Sequence, residues 1–564
     1  MGYSSKAVAV GSEVENGALT DADHTLYSRA AIEEARANIE EVPGSGKIRG
    51  VWMFNNKKYA FRDNEAGTQC LMYESSSTGW QLIDLGAYTD FSNGTDTAGI
   101  GFVIGEEVKG GTSSSTGTVV DIVKTGGDLA AGTAAGRVYV QNVVGAPFPI
   151  EQFTGQTSGA YATSSGKQQT TLLPGGRYEF INENFYGATN LKGMYGADGV
   201  NPGFMYTANG FRQIPTGMVI DAPTHVYEFK KHLFFSFPGG SVQHSPPGDP
   251  GEIWTPILGA AEIGTGDEVS GFAALPGDAL AILNRNRTYI LRGTSVDDWV
   301  LEEYSDESGA IEWSIQRIKN PIYFDDRGLI DFSAVQDYGD FENASFSEKV
   351  KKTLNANKNN VLSSIRVRDK NQYRIFFNTN AFVIASFEDR KKSGFTVCEY
   401  AIPVECAASV EDANGNEILL FGSDDGFVYQ MDKGTSFDGA EVDAFIRIAF
   451  NFINAAEYNK EFLKAVFEVD SKEAATISFT PDFDYGDSED ITQDIQVSAV
   501  GGTWGISLWD EFSWGEQLIS NPVAYLDGLG QNIGITLYSS HTYEQPHTFN
   551  SVILHYTDLG LKRD

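Results

Sequence analysis

Cysteine is scarce, with three in 564 residues (Cys70, Cys398 and Cys406). Three exclude a disulfide scaffold, their spacing excludes a metal finger, and they fit folding in a reducing cytoplasm. Long hydrophobic runs are missing as well. Nothing approaches the ~18 apolar residues that a membrane span needs, so no membrane span is expected. The opening MGYSSKAVAVGSEVENG holds an apolar run of only four residues, too short for a secretory signal. Lys6 stands where a myristoylation signal needs Ser or Thr. Basic charge is in deficit: 41 Lys and Arg face 76 Asp and Glu, a net of −35. Such a surface repels phosphate and disfavours nucleic-acid binding through a basic face.

Signatures of catalysis and of bound cofactors are equally thin. Gly44-Ser45-Gly46-Lys47 hints at a phosphate loop, but Ile48 replaces the required Ser or Thr and the segment follows a helical pattern instead of a strand. The acidic run Asp482 to Asp490 does not follow the spacing of a calcium loop and reads as a solvated connection. His225, His232 and His244 fall in one unit without the spacing of a metal-binding helix. No Gly-x-Ser-x-Gly elbow and no sialidase-type Asp turn occurs. No enzyme, cofactor or metal site is expected.

What the chain does have is Gly (61), Phe (36) and Tyr (25), the profile of many short aromatic strands joined by tight turns. One helix is expected over Leu26–Val42, with Ile32, Ala35, Ile39 and Val42 on one face and Pro43-Gly44 as its stop. A unit of apolar run, polar turn and second apolar run then recurs, starting near Val51, Tyr178, Val226, Phe272, Ile322, Tyr373 and Ile418. From Tyr178 onward the starts are 48, 46, 50, 51 and 45 residues apart, the period of one four-stranded propeller blade. The Gly- and Thr-rich stretch 96–170 accounts for the long first gap. Within it, Gly105 to Ser113 aligns with Ile150 to Ser158 at an offset of 45, and strands are expected at Thr118–Val123 and Arg137–Val143. After about residue 440 the repeat stops and strand-like runs read as a sandwich, with Trp504, Trp509, Phe512 and Trp514 as candidate core.

The expected fold is therefore all-β: a β-propeller of about seven blades with a small inserted β-domain and a C-terminal β-sandwich. The domains are an arm and helix (1–45), a first blade (46–95), the insertion (96–170), the remaining blades (171–440) and the sandwich (441–564). One local feature opposes the global charge. Lys349, Lys351, Lys352, Lys358, Arg366, Arg368 and Lys370, with Arg374 beyond, gather positive charge in a short stretch. They are the candidate site, as phosphate contacts in a DNA channel or as a subunit-docking patch. The plain alternative is a solvated segment paired with acidic neighbours.

Between residues 176 and 345 the chain resembles the tail-nozzle or tail-hub proteins of short-tailed bacteriophages. The carrying segments are Tyr195-Gly196-Ala197-Asp198-Gly199-Val200-Asn201, His232 to Ser245, Gly248-Asp249-Pro250, Gly259 to Gly264, Gly293-Thr294-Ser295 ahead of Asp298-Trp299, Asp325-Asp326-Arg327-Gly328 and Tyr338-Gly339-Asp340-Phe341. The resemblance implies a structural virion protein in a six-fold homo-oligomeric ring below portal and adaptor proteins, carrying fibres or spikes. It also implies only transient, non-specific contact with the genomic DNA that the ring retains and conducts, and assembly in the host cytoplasm. The alternative is a receptor-binding tail adhesin for host surface glycans.

Overall fold

The computed structural model describes residues 37–561 except 97, 146–148, 188–191, 276, 333–344, 389–390, 435, 454–455, 472–474, 487–492, 498–518 and 542–546. Most of the expected N-terminal helix, the Tyr338–Phe341 segment, the Trp504–Trp514 cluster and the end of the acidic run lie outside the described residues. Where the helix reading reaches described chain, Ala37 is helical but the helix stops short of the expected end. Residues 39–42 are not helical, and the Val42 N–H donates to the Gly426 carbonyl at 2.9 Å. No helix among the described residues is long and apolar enough to cross a membrane.

The chain divides into two compact units, one spanning 39–432 and one built on Lys433–Asp564. The first is a seven-bladed β-propeller. Its blades are antiparallel sheets that follow one another along the chain, each pairing its strands in sequence order. The innermost strands are Ser45–Phe54, Glu179–Glu183, His225–Phe229, Val269–Leu275, Gln316–Arg317, Val361–Val367 and Cys406–Glu411. Blades five and seven have three strands and the other five have four.

Blades are buried on both faces, and this explains the sequence texture. Every residue of His232–Phe237 and of Ala279–Asn284 is buried, so these strands read as continuous apolar runs instead of alternating. One apolar cluster fills each gap between neighbouring blades. Phe61, Tyr178 and Phe204 join blades one and two, Phe235 and Trp254 are packed between two and three, and Phe324 and Tyr373 between five and six.

The last gap closes the ring without a covalent bond or a shared strand. Ile48, Val51 and Met53 of blade one pack on Cys406, Ala408 and Leu420 of blade seven, and the Ile48 N–H donates to the Ser423 carbonyl at 3.0 Å. Gly422 permits the approach, since a β-carbon there would stand 2.5 Å from the Ile48 side chain. The seven sequence units match the seven blades, but their register slips. The first four begin on the innermost strand, whereas the units at Ile322, Tyr373 and Ile418 begin on the second strand of their blades. An inner and a middle hairpin present the same pattern of two apolar runs around a turn.

The insertion is a small closed barrel. Tyr161–Ser164 pairs both with Gln152–Gly155 and with Ala87–Thr95, which seals the sheet. Ala87–Thr95 belongs to this sheet, so the insertion begins before residue 96 and the first blade ends at Leu82. The duplicated motif forms an internal two-fold. Glu107–Gly110 pairs antiparallel with Gln152–Gly155, with Lys109 opposite its equivalent Thr154. Each copy's glutamate holds the other copy's turn. Glu151 accepts the backbone N–H groups of Thr112 and Ser113 at 2.6 and 2.8 Å, and Glu106 accepts those of Thr157 and Ser158 at 3.0 and 2.9 Å. The glycines of the motif make room for these carboxylates: a β-carbon at Gly110 would lie 2.2 Å from Glu151, and one at Gly155 would lie 2.6 Å from Glu106. The barrel docks on blade two through buried Arg212, which pairs with Asp121 and lies over the Tyr139 ring.

The second unit packs two antiparallel sheets. One runs Val442–Asn451, Ile533–His541, Ala475–Phe483, Gln493–Val497. The other is centred on Tyr458–Ser471, with His547–Leu561 on one side and Val523–Gly530 on the other. Phe462, Phe467, Phe479, Ile535 and Leu537 lie between them.

Truncating Glu151 to Ala leaves two part-buried N–H groups without this acceptor, and truncating Glu106 leaves three, that of Val103 included, at a cost of about 1–3 kcal/mol each. Gly110→Ala should be at least as damaging, because the carboxylate must vacate its seat. Thermal unfolding of the variants, followed by proteolysis mapped to the barrel, checks this. Unchanged melting and unchanged cleavage would refute the crossed-turn account.

Candidate functional site

The basic segment does not fold into one patch. Lys349 and the helix Lys351–Ala356 precede the innermost strand of blade six, whereas Arg366, Arg368 and Lys370 lie at and beyond its far end. That seven-residue strand separates the two groups by about 20 Å, since a strand rises ~3.3 Å per residue. The charges therefore divide between the two faces of the propeller disc. Most are also matched by acids of the same chain. Lys351 lies 3.6 Å from Glu348, Lys358 lies 3.3 Å from Asp326, and Lys370 lies 2.8 Å from Asp432. Arg368 pairs with Glu411 and Glu417. Arg366 donates to the Arg317 carbonyl at 2.8 Å, and buried Arg374 grips Asp432 with bonds of 2.6 and 2.9 Å. Lys349 and Lys352 are exposed at the first face. The continuous DNA-facing ring that sequence proximity suggested is not formed within one chain, because the intervening strand carries its two ends to opposite faces.

A denser constellation sits where the innermost strands begin, at one mouth of the propeller axis. Arg177 reaches from blade two to the Leu362 carbonyl of blade six, and its guanidinium stacks 3.8 Å above the Trp313 ring of blade five. His225 of blade three lies between Glu179, 3.0 Å from Nδ1, and Glu312, 3.6 Å from Nε2, with its ring 5.0 Å from that of Trp313. Lys47 and Glu405 clasp blades one and seven at 2.7 Å. Arg177 with Leu362 and Trp313, and His225 with Glu312 and Trp313, join blades that are not neighbours, so these contacts reach across the axis and brace it. With these side chains spanning it, the axis leaves no open bore for a duplex at this mouth. Trp313 holds a backbone φ of 64°, a left-handed conformation that is costly for a bulky residue. The Ser364 hydroxyl, donating to the Trp313 carbonyl at 2.7 Å, helps to hold it there.

The electrostatics of this mouth follow from enclosure among acids. Burial alone would depress the His225 imidazole, but the Glu179 and Glu312 carboxylates outweigh it and hold its pKa above the ordinary value. Burial lowers the Arg177 guanidinium to about 10, which leaves it charged at neutral pH, and raises the Glu312 carboxyl. By contrast, burial drives His244 down to about 4 and also lowers His232, and both pack against Trp299 as neutral rings. Lys47, the lysine of the phosphate-loop look-alike, points to Glu405, and its loop opens a strand. Sequence reasoning missed Arg177, Glu312 and Trp313. The available signal was a charged residue just ahead of an apolar run, repeated at Arg177, Glu268 and Glu312.

No family model and no curated protein matches the chain. Solved structures overlap it loosely. The computationally designed Ika8 protein gives a TM-score of 0.33 at 9% identity over 70% of this chain and 98% of that one. U3-55K gives 0.33 at 10% over 68% and 91%, and the WD40 repeats of RRP9 give 0.32 at 10% over 68% and 90%. At overlaps of this size, the propeller assignment stands on the chain's own strand pairing.

The raised His225 pKa has a definite pH consequence. Its stabilisation is fully present below the unfolded value of about 6.5 and is lost as pH rises through the higher folded value. The groups facing it are Glu179, Glu312 and Arg177, with Glu268 next to Glu312. In a pH series of thermal unfolding, the stability difference between wild type and His225→Gln should therefore shrink as pH rises above about 6.5. Parallel curves for the two proteins would refute the brace's charge state.

Proposed function

We propose that this chain is a non-enzymatic structural subunit of the tail nozzle of a short-tailed bacteriophage, forming a homo-oligomeric ring that retains the genome and then conducts it. The observation that carries the reading is the charge economy. A protein of net charge −35 matches most cations of its one basic segment to its own carboxylates. Few are left to hold phosphate, as suits a wall past which DNA slides. Because the axis of a single propeller is braced by Arg177 and Trp313, the conduit in this proposal is the lumen of the ring. Portal or adaptor proteins would contact the ring on one side and fibres or spikes on its periphery.

Electron microscopy of the purified chain or of the particle should show rings with a hole wide enough for a duplex. Monomers that never join a tail would overturn the reading. Double-stranded DNA binding at physiological salt should be undetectable for the wild type and unchanged in Lys349→Glu/Lys352→Glu. A steep salt-dependent affinity would count against it.

The adhesin reading is favoured by one observation, the exposed aromatic rings of the sandwich. Tyr525 is 75% and Tyr485 65% exposed. It predicts binding to host surface polysaccharide that Tyr525→Ala weakens.

A further inference from the structure

We propose that the strand Val442–Asn451 is a docking edge for a second copy of this chain, the two strands pairing antiparallel about a two-fold axis through Phe445. This strand ends its four-stranded sheet, and among the described residues only Ile533–His541 pairs with it. It runs ten residues, VDAFIRIAFN, without a proline. Pairing with its one neighbour is unbroken from Val442 to Ile448. Natural edge strands of this length are usually blunted by lysine, proline or a covering element. Here Phe445 is 76% and Ile446 49% exposed, so both faces of the edge present apolar surface.

The sequence of the edge says which occupant fits. Asp443, Phe445 and Arg447 share one face, since side chains alternate along a strand. Antiparallel self-pairing about Phe445 sets Asp443 of each copy opposite Arg447 of the other and Phe445 against itself. On the other face it sets Ala444 opposite Ile446 and Val442 opposite Ile448. Every opposed pair is then apolar with apolar or acid with base, the combinations that stabilise cross-strand neighbours. The adjacent registers lose this match: centring on Ala444 opposes Asp443 to Phe445, and centring on Ile446 opposes Phe445 to Arg447.

Both charges are already held in place beside Phe445. Asp443 accepts the Tyr538 hydroxyl at 2.8 Å, and Arg447 donates to Asp482 at 3.3 Å. The Arg447 side chain is 53% exposed and keeps further donors for a second carboxylate. This pairing is two-fold, so it makes dimers; a ring needs another, different surface. The inference therefore stands or falls independently of the nozzle reading.

Charge exchange in the full chain tests it. In sedimentation velocity, Asp443→Arg and Arg447→Asp should each weaken this pairing at least tenfold, because like charges then oppose one another twice. Mixing the two variants should restore it as a heterodimer, and the double variant should restore it as a homodimer. Thermal unfolding of each variant controls for folding. If the wild type forms larger assemblies through another surface, Phe445→Cys isolates this contact. It should give a disulfide-linked dimer on oxidation, because directly opposed residues lie within disulfide reach. Folded single variants that dimerise like wild type, a mixture that fails to re-associate, or no cross-link at Phe445→Cys would each overturn the proposal.

Discussion

Closure between the first and last blades is the constraint on which the propeller depends. Nothing covalent joins them, and no strand is exchanged. The ring holds because Ile48, Val51 and Met53 bury against Cys406, Ala408 and Leu420, with Gly422 letting the backbones approach. Burial of large apolar side chains contributes about 1.5–3 kcal/mol apiece, and seven such interfaces share the load. Because each blade is covered on both sides, a fault at one gap exposes strand faces on two blades.

The same closure gathers the starts of the inner strands at one mouth, where Arg177, Glu179, His225, Glu312, Lys47 and Glu405 meet. Arg177, His225 and Trp313 bridge across the axis and turn an open ring into a braced one. The bracing leaves no open bore at this mouth, so any work done with a macromolecule falls to its faces, its rim and the second unit. The barrel inserted after the first blade belongs to that rim, with its two-fold built from one duplicated motif.

Much of the architecture is legible in the sequence. The spacing of apolar runs counted the blades, because a blade is one supersecondary unit and its length repeats. The offset of 45 residues marked the duplication, although not that Glu106 and Glu151 exchange turns, since crossing depends on how the strands pair. Blade boundaries were less legible. Ala87–Thr95 reads as blade material yet belongs to the barrel, and the later units start one strand late because hairpins within a blade look alike. The basic segment is legible in part: its reading as a solvated stretch paired with acidic neighbours matches the ion pairs of Lys358, Arg368 and Lys370, but its placement was not legible. Neighbours in sequence were read as neighbours in space, and the strand Val361–Val367 sends them to opposite faces.

What the sequence by itself determined is the class of local structure: short two-sided strands, their number, their period, and an acidic surface with little cationic reserve. Composition and periodicity act residue by residue, so they survive without knowledge of the fold. Only the tertiary structure decided that the axis is braced and by which residues. Arg177, His225 and Trp313 lie on different blades, and their meeting depends on ring closure over more than a hundred residues. It also decided which strand ends its sheet: among the described residues Val442–Asn451 pairs only with Ile533–His541, far along the chain.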